Sequence, residues 1–525
     1  MPKGYTTGML IGRLCVMAAA CLLVLSTVAA AKAKPSADPG EETALFLLKQ
    51  TVRPARDGSH NALLRGLRQL DDPELLPLFN ALSASPYLSM RVHGMLGAAE
   101  LSPQRRLDLS QLAEIEDKRE LVQVLSAGMD DGLIDQAGMA TLLGWEGLEL
   151  PLRQAIALRI VGEGGFVDTK PFAESLDIEL NDELGAGRLL QYALAALVLA
   201  EAGDAAGKTA LLKISKLQGV ASTAVLGQVL DAAMRQGHAS AGPLAMSLVK
   251  DAKRDASLRL LAIQTALRLG TNGASTAWQA MYQREESMPQ RIRLAMVALD
   301  AADKLDSSVV DALGSDGEWV RLIGNAGRAV AEKRDDLLPA FKPMIATGQP
   351  LSVQWVVSYC RRDKPAEGAG LLEEVIKNHN AGSDRNRGKM AQAARSAATA
   401  LCELYPDQAI ERLPVLLEQA TGAEEARGLP MRRLILLGIA QARGDGLKAL
   451  AQQIETDAFN DFTTEVLRLN IRARHGAELT EKEWQRVSDI VQGVGQLDLS
   501  MRTQLGWAYL EHRGKADRAI VEALK

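Results

Sequence analysis

Apolar residues recur at three- and four-residue steps along most of the chain, and short polar turns interrupt them. That spacing puts one apolar stripe on each helix. The alternating β-branched pattern of strands is scarce. Residues 71–101 show the unit well. DDPELLPLFNAL predicts a first helix with Leu75, Leu76, Leu78, Phe79 and Leu82 on its apolar side. SPYL reads as a turn, and SMRVHGMLGAAEL as a second helix. Two such helices cannot bury their stripes alone and need neighbours of the same kind.

An arginine marks the start of these second helices. Arg91, Arg119, Arg153, Arg188, Arg259, Arg293, Arg321, Arg395, Arg432, Arg468 and Arg502 carry it, and spacing places Ala224 and Gln354 in the same series. The intervals run from 28 to 41 residues, the period of stacked helix pairs. The widest interval contains NHNAGSDRNRGK, residues 378–389, which is polar and reads as an exposed insertion loop and a hinge. A marker that follows the fold period, rather than one locus, is expected to be structural. It would bond a helix end or a carboxylate while its stem covers apolar surface.

The second helices resemble HEAT-like, armadillo-type repeats. Asp255-x-x-x-Arg259 and Asp498-x-x-x-Arg502 match the acidic-residue-then-Arg pattern, and DGEWVR at 316–321 matches with one extra residue. MLGAA at 95–99 and ALRLG at 266–270 come nearest to the closing Ala-Leu-Gly. The final segment, LGWAYLEHRGKADRAI at 505–520, is similar to a tetratricopeptide repeat, with Gly506 and Tyr509 at its spacing. The resemblance implies an all-α fold, a right-handed α-solenoid of about 11–13 antiparallel helix pairs. It would run over residues 42–377, cross the 378–389 loop and continue through 390–525.

The first residues differ. Lys3 and Arg13 precede an apolar run at 14–31 that ends in Ala29-x-Ala31, and residues 32–41 form a Lys/Pro/Gly-containing linker. A basic start, an apolar stretch and a small-residue site read as a signal peptide over 1–31, and hence as export. The alternative is a membrane anchor through 14–31. Loss of Lys3 and Arg13 takes the formal net charge from −5 to −7. A mildly acidic chain argues against general nucleic-acid binding.

Cys15 and Cys21 leave with the signal. Cys360 and Cys402 occupy similar places in consecutive units, so they are either a candidate disulfide or two buried thiols. No metal or cofactor motif is found. GDAAGKT at 203–209 lacks the P-loop spacing and follows a helical run, so it reads as a helix turn. The acidic pairs Asp71–Asp72, Asp130–Asp131 and Asp335–Asp336 lie beside turns, where capping explains them. Among the six histidines only His379 has neighbours that suggest exposure. Trp319 and Trp355 lie 36 residues apart and either pack in the core or share a small patch.

The function expected from this pattern is an exported, non-catalytic scaffold that binds other proteins. The candidate surface is where the period is least regular: Trp319, Trp355, Arg361, Arg362, His379, Arg385 and Arg387. The alternative is a helical-repeat lyase or hydrolase acting on a polysaccharide or peptidoglycan, which requires acid and base groups converging in one cleft.

Overall fold

A computed structural model describes residues 59–305, 307–314, 316–420, 430–443, 445–454, 461–493, 499–513 and 519–520. The signal-peptide and linker segments, Asp498 and Gly514 lie outside the described residues. The described residues form twenty-seven α-helices and five short 3-10 turns, with no strand among them. None of these helices is long and apolar enough to cross a membrane.

The helices divide into two compact units. The first unit draws on both Met1–Ser102 and Thr480–Lys525, and the second is Pro103–Leu479. The first unit begins with α1 (Ser59–Arg68), α2 (Leu76–Ser83) and α3 (Leu88–Leu101). The second opens on α4 (Leu109–Ala113), α5 (Lys118–Asp130), α6 (Gln136–Leu143), α7 (Leu150–Gly162) and α8 (Lys170–Glu174). It continues with α9 (Ala186–Glu201), α10 (Ala205–Ile214), α11 (Val220–Gln236), α12 (Gly242–Lys250), α13 (Ala256–Arg268), α14 (Ala274–Arg284) and α15 (Met288–Asp300). Then come α16 (Ser307–Gly314), α17 (Glu318–Ala331), α18 (Leu338–Ala346), α19 (Pro350–Asp363), α20 (Gly368–Lys377), α21 (Arg387–Leu404) and α22 (Pro406–Gln419). The unit closes with α23 (Met431–Gln441), α24 (Lys448–Gln453) and α25 (Phe462–Arg474). The first unit resumes with α26 (Glu481–Gln492) and α27 (Leu499–Arg513).

Polar side chains start many of these helices. Asp108, Asp117, Asp135, Asp204 and Asp255 each accept a hydrogen bond from a first-turn amide. Thr480 and Glu483 form a reciprocal capping box at α26. Each such cap satisfies an amide that the helix itself leaves open and contributes about 1 kcal/mol.

In the second unit the second helices of successive pairs, from α7 through α9, α11, α13 and α15 to α17, each contact the next, and α19 contacts α15 and α21. From α10 onward, the first helices α10, α12 and α14 likewise contact their successors, and α18 contacts α20. The core lies between these two sets. It is dominated by small and unbranched side chains, and α9 alone buries Ala193, Ala195, Ala196, Leu197, Val198, Leu199 and Ala200. Small residues let helices approach closely, so a continuous apolar layer forms from few aromatics. These contacts are compatible with a stack of helix pairs.

In the first unit the two separated stretches of sequence meet. Helix α27 packs on α1, α1 on α3, and α26 on α27. The indole N–H of Trp507 donates to Asp72, and the Gln504 amide donates to Gln69 at 3.2 Å. Trp484 stacks on His512 with ring centroids 4.2 Å apart. The segment that resembles a tetratricopeptide repeat therefore buries its Trp507 against the other end of the sequence and its Tyr509 edge-on to Trp484.

The region read as an insertion loop is more tightly built than its composition suggests. Asp384–Asn386 is a 3-10 turn, and α21 begins at Arg387, inside the 378–389 stretch. Gly348 and Gly382, both at positive φ, cross backbone to backbone. A Cβ on Gly348 would sit 2.3 Å from the carbonyl carbon of Ala381, so only glycine fits there.

Candidate functional site

The recurring arginines serve helix ends at several positions. Arg91 donates to the Ser85 carbonyl at 3.0 Å, Arg153 to Trp145 at 2.8 Å, and Arg259 to Val249 at 3.3 Å. Each satisfies a carbonyl at or just beyond the end of the preceding helix. Arg188, Arg293 and Arg321 do not follow this pattern. They are exposed, and their side chains have no partner among the described residues.

A second set of cations, not singled out by the period, ties one helix pair to the next within the second unit. Arg159 donates to the Met129 carbonyl, Arg254 to Ser215, Arg268 to Asp300, Lys304 to Arg268 and Arg474 to Ala440. These links span 30 to 39 residues, about one period each.

Three of the seven residues proposed from sequence share α19. Trp355 stacks on Tyr359 at 5.1 Å and on Phe341 at 5.9 Å. Its indole N–H donates to Asp300 at 3.1 Å, and Arg362 reaches the same carboxylate oxygen at 3.1 Å. Arg361 pairs instead with Glu403 at 2.9 Å, on the following second helix. Trp319 joins no aromatic pair among the described residues. His379 is a correction: it is 1% exposed, not solvent-facing. Its Nδ1 lies 3.1 Å from the Ile376 carbonyl, because the turn that ends α20 folds the ring inward. Arg387 pairs with Asp384 at the start of α21, and Arg385 is exposed beside it.

A cavity of about 430 Å³ adjoins α19, with Tyr359, Arg362, Asp363, Lys333, Arg334 and Asp335 among its lining. Its arginines are already engaged: Arg334 binds Asp336 through both 2.9 and 2.7 Å contacts, and Arg362 binds Asp300 and Asp363. Burial, and then Asp363, push the Tyr359 hydroxyl up to about 12. The pair Cys360 and Cys402 is present as two free, buried thiols, each pushed up to about 12 by burial. Of the acidic pairs, Asp72 caps a 3-10 turn through the Glu74 amide as expected. Asp130 and Asp336 instead bind arginines, because a guanidinium lies in reach of each. In GDAAGKT, Gly203 and Asp204 make the turn between α9 and α10 and the remaining five residues open α10, with Asp204 accepting from the Ala206 amide at 2.7 Å.

The larger recess lies elsewhere, among α12, α13, α14 and α15. It is a groove of about 800 Å³. On α14, Trp278 and Tyr282 are one turn apart, buried, and stacked at 4.9 Å. The Trp278 indole donates to the Leu294 carbonyl at 2.9 Å, and Tyr282 donates to Asp316, which Arg291 also binds at 2.7 Å. Burial, and then the Asp316 bond, raise the Tyr282 hydroxyl far above its ordinary range. Burial would also raise Asp316, but the Tyr282, Gly317 and Arg291 donors hold it below the usual carboxylate range. This knot fixes one face of α14. The residues one turn round, Ala277, Ala280, Met281 and Arg284, therefore face the groove.

Met246 and Val249 on α12, with Leu294 on α15, complete the apolar floor. Ala277 and Ala280 are too short to fill the gap, so the space stays open. Lys250, Arg259 and Arg284 line the groove from three different helices, against one carboxylate, Glu285. Glu285 is used by its own turn, accepting the Ser287 amide at 2.9 Å. Lys250 and Arg284 have no side-chain partner among the described residues, and Arg259 is held only through its Nε. Sequence periodicity marked Arg259 as a repeat position but missed Lys250 and Arg284, which belong to different helices and meet only in space.

Among the described residues no group of three or more His, Cys, Asp or Glu side chains is placed to hold a metal ion. No protein-family model and no curated protein matches this chain.

Proposed function

We propose that this chain is an exported, non-catalytic helical-repeat scaffold that binds other proteins in the cell envelope. The observation that carries the reading is the groove among α12–α15: an open, apolar floor flanked by Lys250 and Arg284, which pair with no carboxylate among the described residues. Such a surface suits recognition, because a desolvated apolar contact supplies affinity and the flanking charges select the partner. Stacked helix pairs extend such surfaces over long distances. The strongly perturbed hydroxyl of Tyr282 is buried in a closed Asp–Arg knot rather than open to a substrate, which fits a structural role. The export part of the proposal rests on residues 1–31 alone.

The test has two arms. In-cell cross-linking followed by mass spectrometry should recover a defined protein, which then binds the purified chain saturably. Purified protein incubated with polysaccharides and peptidoglycan should release no product. Turnover of any glycan, abolished by a point substitution, would replace this reading with the enzymatic one.

A further inference from the structure

We infer that the α12–α15 groove is a docking site for an acidic, apolar segment of a partner polypeptide. This rests on the scaffold reading above and specifies its partner chemistry.

The charge argument comes first. The chain carries a formal net charge of −5, yet this recess presents Lys250, Arg259 and Arg284 against Glu285 alone. Local charge opposite to the overall charge is a selective feature. It attracts an acidic segment and leaves the remaining surface to repel it. The α19 cavity differs in kind, because Arg334 and Arg362 already have carboxylates there. An acid entering that cavity would have to displace them. At the groove it displaces only water from Lys250 and Arg284.

The shape argument is independent. A volume of about 800 Å³ accommodates several side chains. The floor includes Met246 and Met281, whose flexible thioethers adapt to varied apolar partners. Arg259 is anchored by the Val249 carbonyl, so its guanidinium costs little further ordering when an acid binds. Cations from three helices around one floor fit an extended or helical peptide with acids flanking apolar residues better than a single-headed anion.

A random 12-residue peptide library displayed on phage and selected on the purified full chain would test this. Enriched peptides should carry excess Asp and Glu interleaved with Leu, Phe or Met. Their fluorescent copies should bind more weakly as salt rises. The double variant Lys250→Glu, Arg284→Glu should weaken binding by about 10-fold or more. Both sites are exposed on the surface, so folding should be retained. Ala277→Phe, which fills the groove, should abolish binding while circular dichroism stays unchanged. Enrichment of neutral or basic peptides, equal binding to the variants, or no enrichment at all would overturn the proposal. So would competition by dodecanoate with no selected peptide, which would assign the groove to an anionic amphiphile. If cross-linked partners still bind the groove variants at full strength, the scaffold reading survives and docking lies elsewhere. If no partner protein is found at all, the scaffold reading fails.

Discussion

The indole N–H of Trp355 donates to the carboxylate of Asp300 at 3.1 Å, across 55 residues of sequence. Asp300 ends α15, and the same residue receives Arg362 on its carboxylate and Arg268 on its carbonyl. One acidic residue thus joins α13, α15 and α19. Asp300→Ala would leave the Trp355 indole without its acceptor and Arg362 with Asp363 alone. The expected loss is about 1–3 kcal/mol, with Asp300→Asn losing less because it still accepts from the indole. Urea unfolding followed by Trp fluorescence measures both, and equal losses would contradict the role of the indole hydrogen bond.

Arg254 is 6% exposed and donates to the Ser215 carbonyl as well as to Asp251 at 3.2 Å. Arg254→Met keeps the stem's packing but leaves a buried carbonyl unpaired. A loss of about 1–3 kcal/mol is expected. Hydrogen exchange should rise chiefly around residues 211–217, where the carbonyl sits. A uniform rise along the chain would argue against a local link.

His475 is pushed down to about 4, first by burial and then by Arg474. The unfolded chain, with an ordinary value of 6.5, takes up a proton between pH 6.5 and 4 that the folded chain refuses. The stability contributed by the neutral imidazole is therefore present above 6.5 and lost as the pH falls toward 4. The slope is at most about 1.4 kcal/mol per pH unit. His238, lowered mainly by burial, acts with the same sign. Melting temperatures of wild type and His475→Gln from pH 7 to 4.5 should converge at the acid end. Parallel curves would show that His475 does not titrate on unfolding.

Cys360 and Cys402 are free, and burial pushes both thiols up to about 12. A thiolate is the reactive form, so both should resist iodoacetamide at pH 8 while folded and react fully in urea. Peptide mapping reads each site separately. Failure of both to react in urea without reductant would indicate a disulfide.

The all-helical character was legible because helix periodicity is local. Leu75, Leu78, Phe79 and Leu82 declare an apolar face within one helix, and that face is buried. At three positions the recurring arginine was legible for the same reason: Arg91, Arg153 and Arg259 bond a carbonyl six to ten residues away, whereas Arg188, Arg293 and Arg321 do not. Composition misled at His379, where polar neighbours suggested exposure and a single turn hydrogen bond turned the ring inward.

What the sequence by itself determined was the alphabet of elements: where helices start, which face of each is apolar, and how often the pair recurs. Those properties depend on side chains within a turn or two of one another. The tertiary structure alone decided which cations are neutralised and which are not. Arg362 finds Asp300 sixty-two residues away, whereas Lys250 and Arg284 pair with no carboxylate among the described residues. It also decided that α27 packs on α1 in one unit. Coulomb energy and apolar burial depend on distance in space, and the stacking of helices sets that distance independently of separation along the chain.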